Sequence, residues 1–380
     1  MHILNVAISL DPATGGGIAE RTFQMSRYLV QYGVDCTVLT TDIGLTCERI
    51  KDLKGAQVLA VKCLWKRYYI PRVQLKHFVK LVRDADIVHF MGHWSSLNAL
   101  VYMIARYLKK PYVVCPAGTL AIYGRSRLLK RIYNLVIGSQ LIRHARVLIA
   151  IAENELPHLK SFGVLEADVK IIPNGINRED YTVRDSIWFS ERYGLKGNPF
   201  ILFMGRLDHI KGPDLLLNAF CRIKEKIPRY HMVFVGPDWG MLNGLKKIAE
   251  NSEITDRVHF IGYLGGVEKI YAYNAAQCVV IPSRQDIMPM VALEAGITGK
   301  PVLMTDQCGY NAFREVDPRV IVPASIEGIE EGLLRILLDH DALSTIGIKL
   351  KCYIEENFSW NSIINRYIEL YNQILNTSQK

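Results

Sequence analysis

Short apolar runs rich in β-branched residues alternate with longer segments of helical spacing along the whole chain. Val147-Leu148-Ile149-Ala150-Ile151 is apolar without a break, the mark of a strand covered on both faces. Runs of this kind predict strands at 2–8, 35–40, 58–61, 86–91, 111–115 and 147–152. Apolar or aromatic residues at 23, 25, 28 and 29 give Ile18–Gln31 a helical period. The same cadence restarts at residue 200, with strands predicted at 200–204, 231–235, 257–261, 278–281, 301–304 and 319–322. Pro173-Asn174-Gly175-Ile176 is a turn signal between the two series and marks a hinge. Alternating β and α units predict parallel sheets covered by helices on both sides. The expected architecture is therefore α/β, with two doubly wound domains facing a central cleft. The first takes residues 1–173 and a C-terminal helix, 361–380, and the second takes 174–360. The spacing from Phe358 to Leu375 is that of one amphipathic helix, though spacing alone does not say where it packs.

Composition narrows the class. Half the residues are hydrophobic and 22% charged, as in ordinary globular proteins. The opening Met1–Ile8 lacks a basic leader and meets Asp11-Pro12 at once, so it reads as a strand rather than a signal peptide. No apolar run is long enough to span a bilayer. The eight cysteines are scattered from Cys36 to Cys352 without a C-x-x-C pair, which argues against zinc and disulfides and for a reducing cytosol. The net charge of +9 is unevenly spread. Residues 53–152 hold seventeen Lys or Arg and two acids, Asp84 and Asp86, whereas the rest of the chain is net acidic. Within that stretch, Arg125 to Tyr133 interleaves basic and apolar residues at helical spacing, which suits an anionic membrane surface. Nucleic acid is the rival partner, but no nucleic-acid module is present and the cations spread over several elements.

The candidate chemistry lies at the predicted carboxyl ends of the strands, where ligands bind in such sheets. After Phe200–Met204 comes Gly205-Arg206-Leu207-Asp208-His209-Ile210-Lys211-Gly212. Arg206 offers a rigid fork for phosphate oxygens and Lys211 a movable point charge. Two solvated surface cations would satisfy the same letters, but their position and a second pair downstream favour a clamp. That pair is Asp286 and Glu294, flanking a helix expected to start near Pro289, so that the amides of Met290 and Val291 point at the same anion. Glu294 is placed to accept two hydrogen bonds from ribose hydroxyls, and Asp286 to face a donor sugar. Acids suit a helix N-terminus for its dipole alone, yet one before the turn and one inside an apolar helix exceed that need. Gly15-Gly16-Gly17 follows the first strand and precedes a helix, a phosphate-binding geometry. As a dinucleotide fingerprint it is incomplete, with Glu20 where a third glycine belongs, although Asp42 imitates a ribose-binding acid. His93, in Gly92-His93-Trp94-Ser95 beyond a strand end, is the acceptor-side candidate against a plain structural role. Asp84-Ala85-Asp86 resembles a metal-binding D-x-D but leads straight into a buried strand, which favours a cap or turn.

With these motifs in hand, the chain resembles the retaining glycosyltransferases of family 4 (glycosyl transferases group 1), which have the GT-B fold. The resemblance runs from Gly15-Gly16-Gly17-Ile18 through Ile172–Ile176, Gly205-Arg206-Leu207 with Lys211-Gly212, and Pro282-Ser283 with Asp286 and Glu294-Ala295, to Phe358-Ser359-Trp360, Tyr367 and Tyr371. It implies a nucleotide-sugar donor held by the second domain, an acceptor held by the first, retention of configuration, and no metal or other cofactor. Arg206 and Lys211 match the family's diphosphate clamp, and Glu294 the second acid of its E-x7-E motif. Gly16 and Gly17 match the loop that approaches the donor phosphates, while Tyr263 and Leu264 stand where members bind the base. Two positions depart. Asp286 replaces the first Glu of E-x7-E, and Ala117 stands where many relatives have histidine after Pro116. Relatives acting on lipid-linked saccharides often have a basic first domain.

The resulting expectation is a cytoplasmic enzyme, peripheral at the inner membrane face, that moves a sugar from a nucleotide sugar to a glycan or polyprenyl-linked saccharide. Envelope or exopolysaccharide assembly fits it. The alternatives are a degenerate relative that binds without turnover, a nucleotide-sugar epimerase and, last, a nicotinamide enzyme.

Overall fold

The computed structural model describes residues 1–122, 126–182, 186–195 and 197–378; Arg125, in the basic stretch, lies outside them. The chain divides into two compact units, Met1–Gly175 with Trp360–Lys380, and Ile176–Ser359. The division falls inside the Pro173–Ile176 turn.

The first unit holds strands β1 (His2–Val6), β2 (Asp35–Thr41), β3 (Gln57–Val61), β4 (Cys63–Trp65), β5 (Ile70–Pro71), β6 (Ile87–Met91), β7 (Tyr112–Cys115), β8 (Val147–Ala150) and β9 (Val169–Ile171). Seven of them form a parallel sheet in the order β3-β2-β1-β6-β7-β8-β9, and β4 with β5 make a small antiparallel ribbon. Every predicted strand is present within two residues at most ends. Those not foreseen, β9 and the ribbon, are too short to show a period. The second unit holds β10 (Phe200–Met204), β11 (His231–Val235), β12 (Val258–Gly262), β13 (Cys278–Ile281), β14 (Val302–Thr305) and β15 (Ile321–Val322), in a parallel sheet of order β12-β11-β10-β13-β14-β15. In both sheets the order reverses beside the first strand of the unit, which places a crevice at its carboxyl end.

The first helix differs from expectation. It runs Pro12–Gln31, because Asp11 caps it through Ala13 N and Thr14 N and Pro12 fits the first turn. Gly15–Gly17 are thus a kink inside the helical segment rather than a loop before it, with Gly16 at φ 57°. The C-terminal helix, Trp360–Ser378, belongs to the first unit. Its docking is explicit: Trp360 stacks on Tyr28 at 5.9 Å, and Tyr371 OH bonds His89 Nδ1 at 2.6 Å. The buried Arg21 guanidinium donates to Ile172 O at 2.8 Å, to Asn174 Oδ1 and to Tyr367 OH. One arginine therefore ties the first helix, the chain before the boundary and the last helix together. Gly175 is glycine for a local reason, since a Cβ there would lie 2.6 Å from the Trp360 ring.

Candidate functional site

In the second unit the adjacent strands β10 and β13 bring two loops side by side at their carboxyl ends. Arg284 staples them. Its backbone N–H donates to Ile210 O at 2.8 Å and its side chain to His209 O at 2.8 Å, while its fork grips Asp214 at 2.8 and 2.6 Å. Burial opposes ionisation of Asp214, but the Arg284 pair wins and holds its carboxyl below the usual range. Close approach of the loops also requires Gly212: it has φ 68°, and a Cβ there would lie 2.1 Å from Pro282 O.

On this frame Lys211 donates its backbone N–H to Asp208 Oδ1 at 2.9 Å, and its ammonium pairs directly with Asp286. Asp286 is itself anchored by donating its N–H to Gln307 O at 3.0 Å. Arg206 is 43% exposed, with Asp208 Oδ2 3.3 Å from its guanidinium. Both cations thus rest on carboxylates, which compensate them without covering them. The helix Met290–Ile297 opens four residues beyond Asp286, after Pro289. Met290 and Val291 occupy its first turn, where amide hydrogens have no carbonyl of the helix to bind.

Glu294 sits in this helix at 8% exposure, with Oε1 2.6 Å from Lys269 Nζ and Oε2 accepting from Tyr273 OH at 2.5 Å. Burial disfavours its charge, but the Lys269 ammonium and these hydrogen bonds outweigh it and hold its carboxyl below the ordinary value. Burial and the neighbouring Glu294 push the Tyr273 phenol well up. The carboxylate is therefore ionised and the phenol a donor at neutral pH. The sequence reading left Glu294 open to a ribose, whereas Lys269, Tyr273 and Tyr181 already hydrogen-bond to its carboxylate. Lys269 and Tyr273 were missed; their spacing of four residues on one helical segment, Gly266–Ala275, was the available signal. Tyr263 follows β12 at 63% exposure, whereas Leu264 is buried at 7%.

The first unit carries the remaining candidates. Gly16 needs glycine for its backbone, yet a Cβ at Gly16 or Gly17 would meet nothing within 4 Å. His93 is buried at 1%: its Nε2 meets Asn134 Oδ1 at 2.8 Å, and its ring packs edge-on against Trp94, Tyr133 and Phe162. Burial outweighs that hydrogen bond and lowers its pKa to about 4, so it is neutral at pH 7. It reaches no surface in this structure, but two of its neighbours, Asn134 and Phe162, line an open recess. Ala117 takes a left-handed φ of 50°, and the loop behind it is held by buried Glu155, which accepts from Gly118 N at 2.6 Å and Ile151 N at 2.9 Å. Asp86 accepts from the backbone of His2 at 2.7 Å, a structural use of the D-x-D segment.

A parallel sheet of this order in each unit, with a cation-bearing loop and an acid-bearing helix at adjacent strand ends of the second, is the arrangement of a glycosyltransferase of the GT-B class. Residues 15–180 match the Glycosyltransferase Family 4 profile and residues 189–349 match Glycosyl transferases group 1. The chain belongs to that family. An uncharacterized glycosyltransferase of Methanocaldococcus jannaschii is 25% identical over 98% of both chains. D-inositol 3-phosphate glycosyltransferase of Frankia alni is 27% identical over 77% of this chain and 78% of its own. In fold, the chain is similar to Anabaena HepE solved in complex with UDP and glucose, with a TM-score of 0.78 at 17% identity over 98% of this chain and 100% of that one.

Proposed function

We propose that this glycosyltransferase retains configuration, needs no metal, and moves a sugar from a nucleotide-diphosphate sugar to a glycan or polyprenyl-linked saccharide. The observation that carries the donor half is the stapled pair of loops holding Arg206 and Lys211 beside the opening of the Met290–Ile297 helix. An arriving diphosphate takes over Lys211 from Asp286 and Arg206 from Asp208, and the amides of Met290 and Val291 complete its cradle. Asp286 then faces a hydroxyl of the donor sugar. Glu294, kept charged by Lys269, accepts from the ribose, and the backbone at Tyr263 and Leu264 meets the base. Gly16 and Gly17 of the first unit are assigned a part in phosphate binding on the family resemblance.

The bond from the anomeric carbon to the diphosphate breaks as the bond to the acceptor oxygen forms on the same face. The acceptor proton goes to the departing phosphate oxygen. With EDTA present, transfer continues and NMR of the product shows the anomeric configuration of the donor; an inverted product, or transfer that stops on chelation, contradicts the mechanism.

The acceptor side is assigned to the first unit and to a place at the inner membrane face. Among the described residues no helix is long and apolar enough to cross a membrane. The helix Arg127–Tyr133 continues into a π-helical turn, Asn134–Gly138, and exposes Leu128, Leu135 and Val136 beside Arg127, Lys130 and Arg131. Apolar side chains next to cations on one exposed segment support docking to anionic lipid, with envelope or exopolysaccharide assembly as its setting. Sedimentation with vesicles containing an anionic phospholipid should therefore fall as salt rises through the range where screening shortens to about 8 Å. Salt-independent binding, or none, removes the membrane role.

A further inference from the structure

Trp239 is 62% exposed, yet its ring is engaged: the Arg206 guanidinium carbon lies 4.5 Å from the ring centroid. The loop that carries it is fixed at both ends. Asp238 Oδ1 collects the amides of Gly240, Met241 and Leu242 at 2.8, 3.0 and 3.1 Å, bonds that hold its carboxyl below the usual range. Trp239 N–H donates to Leu207 O at 3.1 Å, and Leu207 N–H to Pro237 O at 2.9 Å, so the two loops are zipped together one residue from Arg206. Gly236, at φ 146°, lets the chains run backbone against backbone, since a Cβ there would lie 1.8 Å from Gly205 O.

We infer that Trp239 is a positioning residue for Arg206 in the proposed donor site, an inference that rests on the reading of that site. A guanidinium on an aromatic ring spends only its flat face, and its five N–H donors stay in plane around the edge. Asp208, 3.3 Å away, holds that edge. A diphosphate replaces Asp208 at the edge while the indole stays behind the face. Arg206 then loses less rotamer freedom on binding than a free arginine would, which raises affinity without a contact from Trp239 to the ligand. The rival role for so exposed an indole is a platform for the nucleobase.

Calorimetry with a nucleoside diphosphate and with inorganic pyrophosphate, on the whole protein in EDTA, separates the two. Trp239→Ala weakens both ligands two- to fivefold, the range of an exposed cation–π contact, and Trp239→Phe restores most of it. In an Arg206→Gln background Trp239→Ala adds nothing, because its effect passes through the arginine. A loss confined to the nucleotide assigns the indole to the base, and a full loss in the Arg206→Gln background removes the coupling; either overturns the inference. Wild-type binding with an indifferent Trp239→Ala defeats the inference alone. Failure of the wild type to bind any nucleoside diphosphate defeats the donor-site reading as well.

Discussion

Lys211→Ala lowers the turnover of sugar transfer by roughly 100- to 1,000-fold, the cost of losing one group that stabilises developing charge. The size follows from what Lys211 faces. Its ammonium is one of two cations on the loop after β10, and it is held in place by a direct pair with Asp286. The same pair contributes little to folding. It is part-exposed, and its loop is separately held by the Arg284 contacts with Ile210, His209 and Asp214. Circular dichroism and the melting temperature should therefore stay close to wild type while transfer is lost. Unchanged turnover in a folded Lys211→Ala protein would remove Lys211 from the mechanism.

Gly212→Ala acts in the opposite way, through structure first. The substitution forces a side chain into a left-handed backbone position and sets its Cβ 2.1 Å from Pro282 O. Backbone strain of this kind and overpacking each cost about 1–3 kcal/mol. The sum lowers the melting temperature of the second unit by on the order of 10 °C. Any relaxation has to part the loop of Arg206 and Lys211 from the loop of Ser283–Asp286, so activity falls with stability. A protein that melts like wild type would show that the two loops are not packed backbone to backbone as described.

The sheets were legible because their central strands are buried on both faces and therefore read as unbroken apolar runs. The positions of Lys211, Asp286 and the opening of the Met290–Ile297 helix were legible for a related reason: each comes after a strong strand, at its carboxyl end. The contacts that fix these groups were not. Arg284 lies between two motif residues without a pattern of its own, yet it staples both loops. Lys269 and Trp239 reach their partners, Glu294 and Arg206, across sequence separations that spacing does not encode. His93 shows the converse. Its place beyond a strand suggested a surface, but Trp94, Tyr133 and Phe162 enclose it, and three aromatic neighbours from different segments leave no periodic trace. Arg21 would pass as an ordinary helix-surface charge until the last helix returns and buries it against Tyr367.

The central claim is that charge and backbone amides, without a metal, hold a nucleotide diphosphate. Titrating the purified protein with UDP, GDP and ADP in EDTA, by calorimetry, tests it most directly. The account predicts saturable one-to-one binding of at least one of the three with chelator present, and the preferred one names the base of the donor. Binding that appears only when a divalent metal is restored would contradict it, as would no binding of any of the three with metal present or absent.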